Sequence, residues 1–94
     1  MAATIRTEKR LDITHAPAFE KAIKELLDAG EKEIYIDMTD TVYLSSITLR
    51  ILLKAQKHMN AIGGSMILTN VSEPVMEVFD VTGFSGILNF EEFH

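Results

Sequence analysis

Short β-branched, apolar runs alternate with amphipathic stretches along nearly the whole chain, and only a few residues link each to the next. Strand, helix, strand in close succession leaves parallel pairing through crossover helices as the arrangement that buries both kinds of apolar face. The first run lies within residues 3–11 and reads as one short strand. Thr14-His15-Ala16-Pro17 opens a helix, with Thr14 or His15 able to cap it and Pro17 suited to a first turn. Phe19, Ile23, Leu26 and Leu27 form its apolar stripe, opposite Glu20, Lys21, Lys24 and Glu25. Gly30 supplies the left-handed residue that ends it. Glu33-Ile34-Tyr35-Ile36-Asp37 is a second strand, apolar on both faces at its centre as a buried parallel strand would be.

A second helix places Leu49, Leu52, Ala55, Met59 and Ile62 on one side, with Ile51 and Leu53 broadening that face and Gly63-Gly64 stopping it. Residues 65–69 form the next strand, Ser72 caps a third helix, and Pro74 sits in its first turn. Val75, Val78 and Phe79 point inward from that helix, Gly83 closes it, and residues 87–90 make a short last strand. The expectation is one α/β domain over residues 1–94 with a mostly parallel four-stranded sheet. Its core should hold Ile36, Leu49, Leu52, Ile67 and Phe79. The methionines Met38, Met59, Met66 and Met76 read as core filler.

The stretch from Asp37 to Leu53 joins the second strand to the second helix. It crosses a polar, β-branched segment and meets Ser45 and Ser46 where the helix must begin. Side-chain oxygens there can satisfy free backbone N–H groups. A phosphate is also best tolerated there, since the helix dipole and unpaired N–H groups favour negative charge. The stretch therefore suggests a structural boundary and a regulatory site together.

Several chemistries are excluded or disfavoured. The chain has no cysteine, which removes zinc–thiolate sites, redox dithiols and cysteine nucleophiles. Its formal net charge of -5 argues against a nucleic-acid partner. No apolar run approaches the ~20 residues of a membrane span, and residues 1–6 have no signal core, so a cytoplasmic protein without membrane insertion is expected. Asp37 and Asp40 after a strand would suit a receiver-type phosphoacceptor only with a further acidic pair and a late lysine, which are missing. The pair reads instead as turn residues. His15, His58 and His94 have no spacing that pairs them with a serine and a carboxylate. No Gly-Lys-Ser/Thr enters a helix, so Gly63-Gly64 is a helix stop. Neither a catalytic centre, a metal site nor a cofactor is expected.

Motifs spread over residues 10–90 resemble the STAS family, the sulfate transporter and anti-sigma factor antagonist domains. Asp37-Met38-Thr39 matches that family's Asp-Leu-Ser triplet, and Tyr43-Leu44 its aromatic and apolar pair. Ser46 falls on its phosphoacceptor serine and Leu49 on its following leucine. Outside this stretch, Arg10-Leu11-Asp12 with Ala16-Pro17, Ile67-Leu68-Thr69-Asn70 and Thr82-Gly83-Phe84 resemble further family segments. The chain departs from the pattern in having Ser45 for the family's aspartate, Ile47 after the phosphoserine position, and Thr48 for its glycine. It also offers one strand before the first helix where the family usually has two.

The resemblance implies a STAS-like fold and a protein that acts by binding, with transcription regulation as its setting. The implied partner is an anti-sigma factor that is also a serine kinase. Partner switching would be controlled by phosphorylation of Ser46, with Ser45 and Thr48 as secondary acceptors. The partner-binding residues carried over are Asp37, Thr39, Tyr43, Ser45, Ser46 and Thr48. A phosphorylation-independent scaffold, such as the STAS subunit of a lipid-transport ATPase complex, is the alternative. The missing strand would leave a sheet edge open and favour a homodimer.

Overall fold

A computed structural model describes residues 2–91. Among them lie six strands, three α-helices and one 3-10 turn. They run β1 (Ala3–Arg6), β2 (Arg10–Leu11), α1 (Ala16–Asp28), β3 (Glu33–Asp37), β4 (Tyr43–Leu44), α2 (Ser46–Ala61) and β5 (Ser65–Thr69). Then come α3 (Glu73–Thr82), the 3-10 turn (Phe84–Gly86) and β6 (Asn89–Phe90). The main sheet has four strands in the order β1-β3-β5-β6, every pair parallel. A second, two-stranded parallel sheet pairs β2 with β4.

The N-terminal segment thus holds two strands, correcting the reading of residues 3–11 as one. The break falls at Thr7, whose buried side chain and N–H both turn toward the Asp37 carbonyl. β1 occupies the sheet edge beside β3, so the expected missing strand, and the pairing edge inferred from it, lose their premise.

The strand order advances in one direction across the sheet, and right-handed crossovers then carry successive helices to the same face. Burial follows that rule. Ile34, Ile36, Met66 and Leu68 are completely buried, while Tyr35 and Ile67 in the alternate row are half-buried and Thr4 is exposed. The expectation of a strand apolar and covered on both faces is corrected here, and Ile67 leaves the core. Ile36, Leu49, Leu52 and Phe79 are in it. Met38, Met59 and Met66 are fully buried fillers, with Met76 packed at the margin.

The helices bury the faces that their spacing indicates. α1 contributes Ala16, Phe19 and Ile23 to the core, with Leu26 and Leu27 packed partly against it. α2 contributes Leu49, Ile51, Leu52, Ala55 and Met59, but Ile62 lies beyond its last turn and is exposed. α3 contributes Val75 and Phe79, and the Phe79 ring meets that of Phe90 at 5.5 Å. Gly83 ends α3 with φ 82°, a left-handed cap that a side chain would strain. Gly64 has a different reason to be glycine, because a Cβ there would stand 2.8 Å from the Lys32 carbonyl oxygen and from Met59 Cε.

Candidate functional site

The C-terminal ends of β3 and β5, the β2–β4 pair and the N-terminus of α2 meet at one corner of the molecule. Each is tied in by polar side chains. Asp37 ends β3, and its Oδ1 accepts from the Thr39 N–H at 3.0 Å, the Thr39 hydroxyl, and Asn70 Nδ2 at 3.2 Å. Those donors, the Thr39 hydroxyl foremost and then the Asn70 amide, hold the Asp37 carboxyl below the usual carboxylate range. Asn70 follows β5 with φ 54°, a left-handed conformation that asparagine tolerates better than most residues.

Thr41 is the buried hub of the loop that follows. Its hydroxyl donates to the Glu8 carbonyl at 2.6 Å and its oxygen meets the Thr7 hydroxyl, whose one proton is shared between Thr41 and the Asp37 carbonyl at 3.3 Å. Ser72, ahead of α3, donates its hydroxyl to the Thr41 carbonyl at 2.8 Å. That contact replaces the expected capping role of Ser72, whose side chain makes no cap bond to α3.

The first helix also gains its polar start from an unexpected residue. Neither Thr14 nor His15 caps α1 through its side chain. Asp12 Oδ1 instead accepts from the Thr14 N–H at 3.1 Å, the His15 N–H at 3.2 Å and His15 Nδ1 at 2.8 Å. The hydrogen bond with His15 leads in lowering the Asp12 pKa to about 2.

Tyr43 and Arg10 are direct partners in the β2–β4 pair, and the Arg10 guanidinium sits 4.5 Å from the centre of the Tyr43 ring. Tyr43 remains 43% exposed, as does Thr39 in kind, so both present surface at this corner. Arg6 and Asp40 form an exposed two-pronged ion pair at its rim, at 3.2 and 3.3 Å.

Helix α2 begins at Ser46, making Ser45 its N-cap by position. The Ser45 side chain does not cap it. Thr48 donates its single hydroxyl proton to the Leu11 carbonyl at 2.8 Å, so the 3.2 Å contact between the Ser45 and Thr48 hydroxyls uses the Ser45 proton. Thr48 is completely buried, which withdraws it from the surface where the sequence reading had set it. Ser45 is half-buried and Ser46 is exposed. The N–H groups of Ser46 and Ile47 meet no acceptor among the described residues.

The structure therefore brings Asp37, Thr39, Tyr43, Ser45 and Ser46 to one corner and turns Thr48 beneath it. Sequence reasoning missed Thr7, Arg10, Thr41, Asn70 and Ser72. Asn70 carried a usable signal, as an asparagine directly after an apolar strand. Thr41 carried none, because a buried threonine in a loop has no periodicity to betray it.

No group of three or more potential metal-ligating side chains occurs among the described residues, and no helix of theirs is long and apolar enough to cross a membrane.

The sequence profile of the STAS domain matches residues 2–93. BtrV of Bordetella bronchiseptica, named as a candidate anti-sigma factor antagonist, is 30% identical over 73 residues, 78% of this chain. The match spans 63% of BtrV's own length. The anti-sigma-B factor antagonist of Bacillus subtilis is 29% identical over 79 residues, 84% of this chain and 72% of that protein. Among solved structures, a protein of Thermotoga maritima named as a candidate anti-sigma factor antagonist superposes with a TM-score of 0.84 at 22% identity. That superposition covers 96% of this chain and 80% of the other. The Bacillus cell fate determinant SpoIIAA in its phosphorylated form superposes with a TM-score of 0.72 at 20% identity, covering 95% and 81% of the two chains. At these identities the superpositions speak for the fold.

Proposed function

The chain belongs to the STAS domain family, and we propose that it works by partner switching as an anti-sigma factor antagonist does, controlled by phosphate on Ser46. The observation that carries this reading is the exposed hydroxyl of Ser46 at the first residue of α2, beside N–H groups left without acceptors. The two neighbouring hydroxyls are engaged: Ser45 donates to Thr48, and Thr48 is buried against Leu11. A kinase meeting this corner finds Ser46 the free nucleophile. Thr39 and Tyr43 supply exposed docking surface around it.

A phosphate there adds about -1.5 to -2 charge. The fold tolerates it, because the α2 dipole favours negative charge at this end and Arg50 stands one turn further along. A partner packed on the corner must bury that charge, and the contact is lost. The partner that fits is an anti-sigma factor that doubles as a serine kinase, the STAS protein being its substrate.

The second reading is a scaffold that binds without phosphorylation. Ser45 and Thr48 favour it, since they replace the carboxylate before the phosphoserine position and the glycine after it with a bonded hydroxyl pair. The test incubates the protein with its cognate kinase and ATP and maps phosphate by mass spectrometry. Modification at Ser46, with loss of binding in Ser46→Asp and retention in Ser46→Ala, is the expected result. Tight binding of a kinase that leaves Ser46 unmodified would establish the scaffold instead.

A further inference from the structure

Two helices of this acidic protein carry charge of one sign each. The charged residues of α2 are Arg50, Lys54 and Lys57, with no carboxylate anywhere in the helix. Those of α3 are Glu73, Glu77 and Asp80, with no cation. All six are exposed, and none lies within 4.0 Å of an opposite charge among the described residues. Each trio repeats at i, i+4 and i+7, so each forms a single stripe along its helix. The spacing is the same in both.

An apolar feature accompanies each stripe. Beside the basic one, Ile23 and Leu27 of α1 and Ile51 and Ala55 of α2 floor a groove of about 650 Å³, rimmed on the α1 side by both signs of charge, with Lys24 paired to Asp28, and on the α2 side by Lys54. Next to Asp80 at the end of the acidic one, Val81 is 81% exposed, more than any other large apolar side chain of the core-forming kind in the described residues. The apolar knob has carboxylates beside it, and the α2 side of the groove carries only cations, so the two are complementary in sign along that side.

We propose that α3 of one copy docks on the α2 side of a second copy, with its acidic stripe against the basic stripe and Val81 in the α1–α2 groove. The partner is a second copy of this chain, because each molecule holds both halves of the match at equal spacing. In a two-fold arrangement one pair of molecules makes the contact twice. The basic stripe begins at Arg50, one turn beyond Ser46, and the substitutions that test the contact fall further along α2 and on α3, so its outcome is separate from that of the switch. At physiological salt the general repulsion of two molecules of net charge -5 is largely screened beyond about 8 Å, whereas opposite charges in contact across the interface lie within that distance.

The experiment is sedimentation velocity of the full chain over a range of concentrations at low and high salt. Wild type is expected to associate at low salt and dissociate as salt rises. Lys54→Glu combined with Lys57→Glu, and separately Glu77→Lys combined with Asp80→Lys, should each weaken association by about tenfold or more. Mixing the two variants should restore it, since the reversed stripes complement one another. Far-UV circular dichroism confirms that each variant is folded, and the salt dependence of wild type needs no substitution at all. A strict monomer at every salt and concentration would overturn the proposal. So would association that both reversals leave unchanged, or variants that fail to recover on mixing. A monomer whose basic stripe instead binds vesicles of anionic phospholipid, with Lys54→Glu abolishing the adsorption, would overturn it in favour of a lipid surface.

Discussion

Ser45 gives its hydroxyl proton to Thr48 across 3.2 Å, and Thr48 gives its own to the Leu11 carbonyl at 2.8 Å. Two of the three positions where this chain departs from its family around the serine are therefore one bonded unit. A threonine in place of glycine is held by the strand before α1, and a serine in place of aspartate is turned toward it.

That coupling should be measurable as stability. Thr48→Val keeps the shape and removes the hydroxyl, leaving the Ser45 proton without its acceptor, and should cost about 0.5–1.5 kcal/mol. Ser45→Ala in the Thr48→Val background should cost less than Ser45→Ala alone. Urea unfolding of the two single variants and the double variant closes the cycle. Strict additivity would show that the hydroxyls act separately.

Ser46 is expected to be nearly silent in stability, in contrast to an N-cap serine worth ~1 kcal/mol. It is exposed, it is the first helical residue, and its side chain makes no cap bond. Ser46→Ala should shift the unfolding free energy by no more than ~0.5 kcal/mol. Ser46→Asp should stabilise by roughly 0.3–1 kcal/mol at low ionic strength through the helix dipole, an effect that salt removes. Urea midpoints at two salt concentrations give both quantities.

The one-sided sheet predicts unequal penalties for apolar residues on its two sides. Leu52 is completely buried in the layer between α2 and the sheet, and Leu52→Ala should cost about 2–5 kcal/mol. Ile67, in the half-buried row, should cost less than half as much on the same truncation. Equal losses would mean that the second row is as closely covered as the first.

Acid should act on the first helix through Asp12. Its pKa is lowered from 3.8 to about 2, with the His15 hydrogen bond as the largest cause, so the folded state favours the carboxylate. The unfolded chain takes up the proton first as pH falls. The stabilisation is complete above the unfolded value and disappears between about pH 4 and pH 2. Carboxyl carbon NMR should show Asp12 titrating near the bottom of that window, and His15→Ala should move it back toward its ordinary value.

Much of the architecture was legible because it is periodic. The stripes of α1, α2 and α3 repeat apolar residues at the spacing their geometry demands, and β3 and β5 stand out as short apolar runs between turn residues. β2 and β4 escaped because two-residue strands have no period. They exist only through each other, Arg10 opposite Tyr43 and Leu11 opposite Leu44. Met66-Ile67-Leu68 is apolar throughout, so no pattern within it says which side is covered, and that is decided by the order in which strands join the sheet. At the candidate site, the position of Ser46 at a helix start could be read directly. The burial of Thr48 could not, because it depends on a carbonyl 37 residues away. Local capping rules pointed to Thr14 or His15 where Asp12 accepts the N–H groups, and gave Ser72 a cap bond where its hydroxyl goes to Thr41 instead.

Thr41 takes part in bonds with the chain on both sides of it, meeting the Thr7 hydroxyl, giving its own proton to Glu8 and accepting that of Ser72 at its carbonyl. The segment between β3 and β4 is thereby clamped to the residues after β1 and before α3. Such a loop has little freedom left to lose when a second protein settles on it. Recognition at this corner should then proceed as rigid docking, with its specificity in the shape already present and its lifetime governed by how fast the complex separates rather than by a folding step.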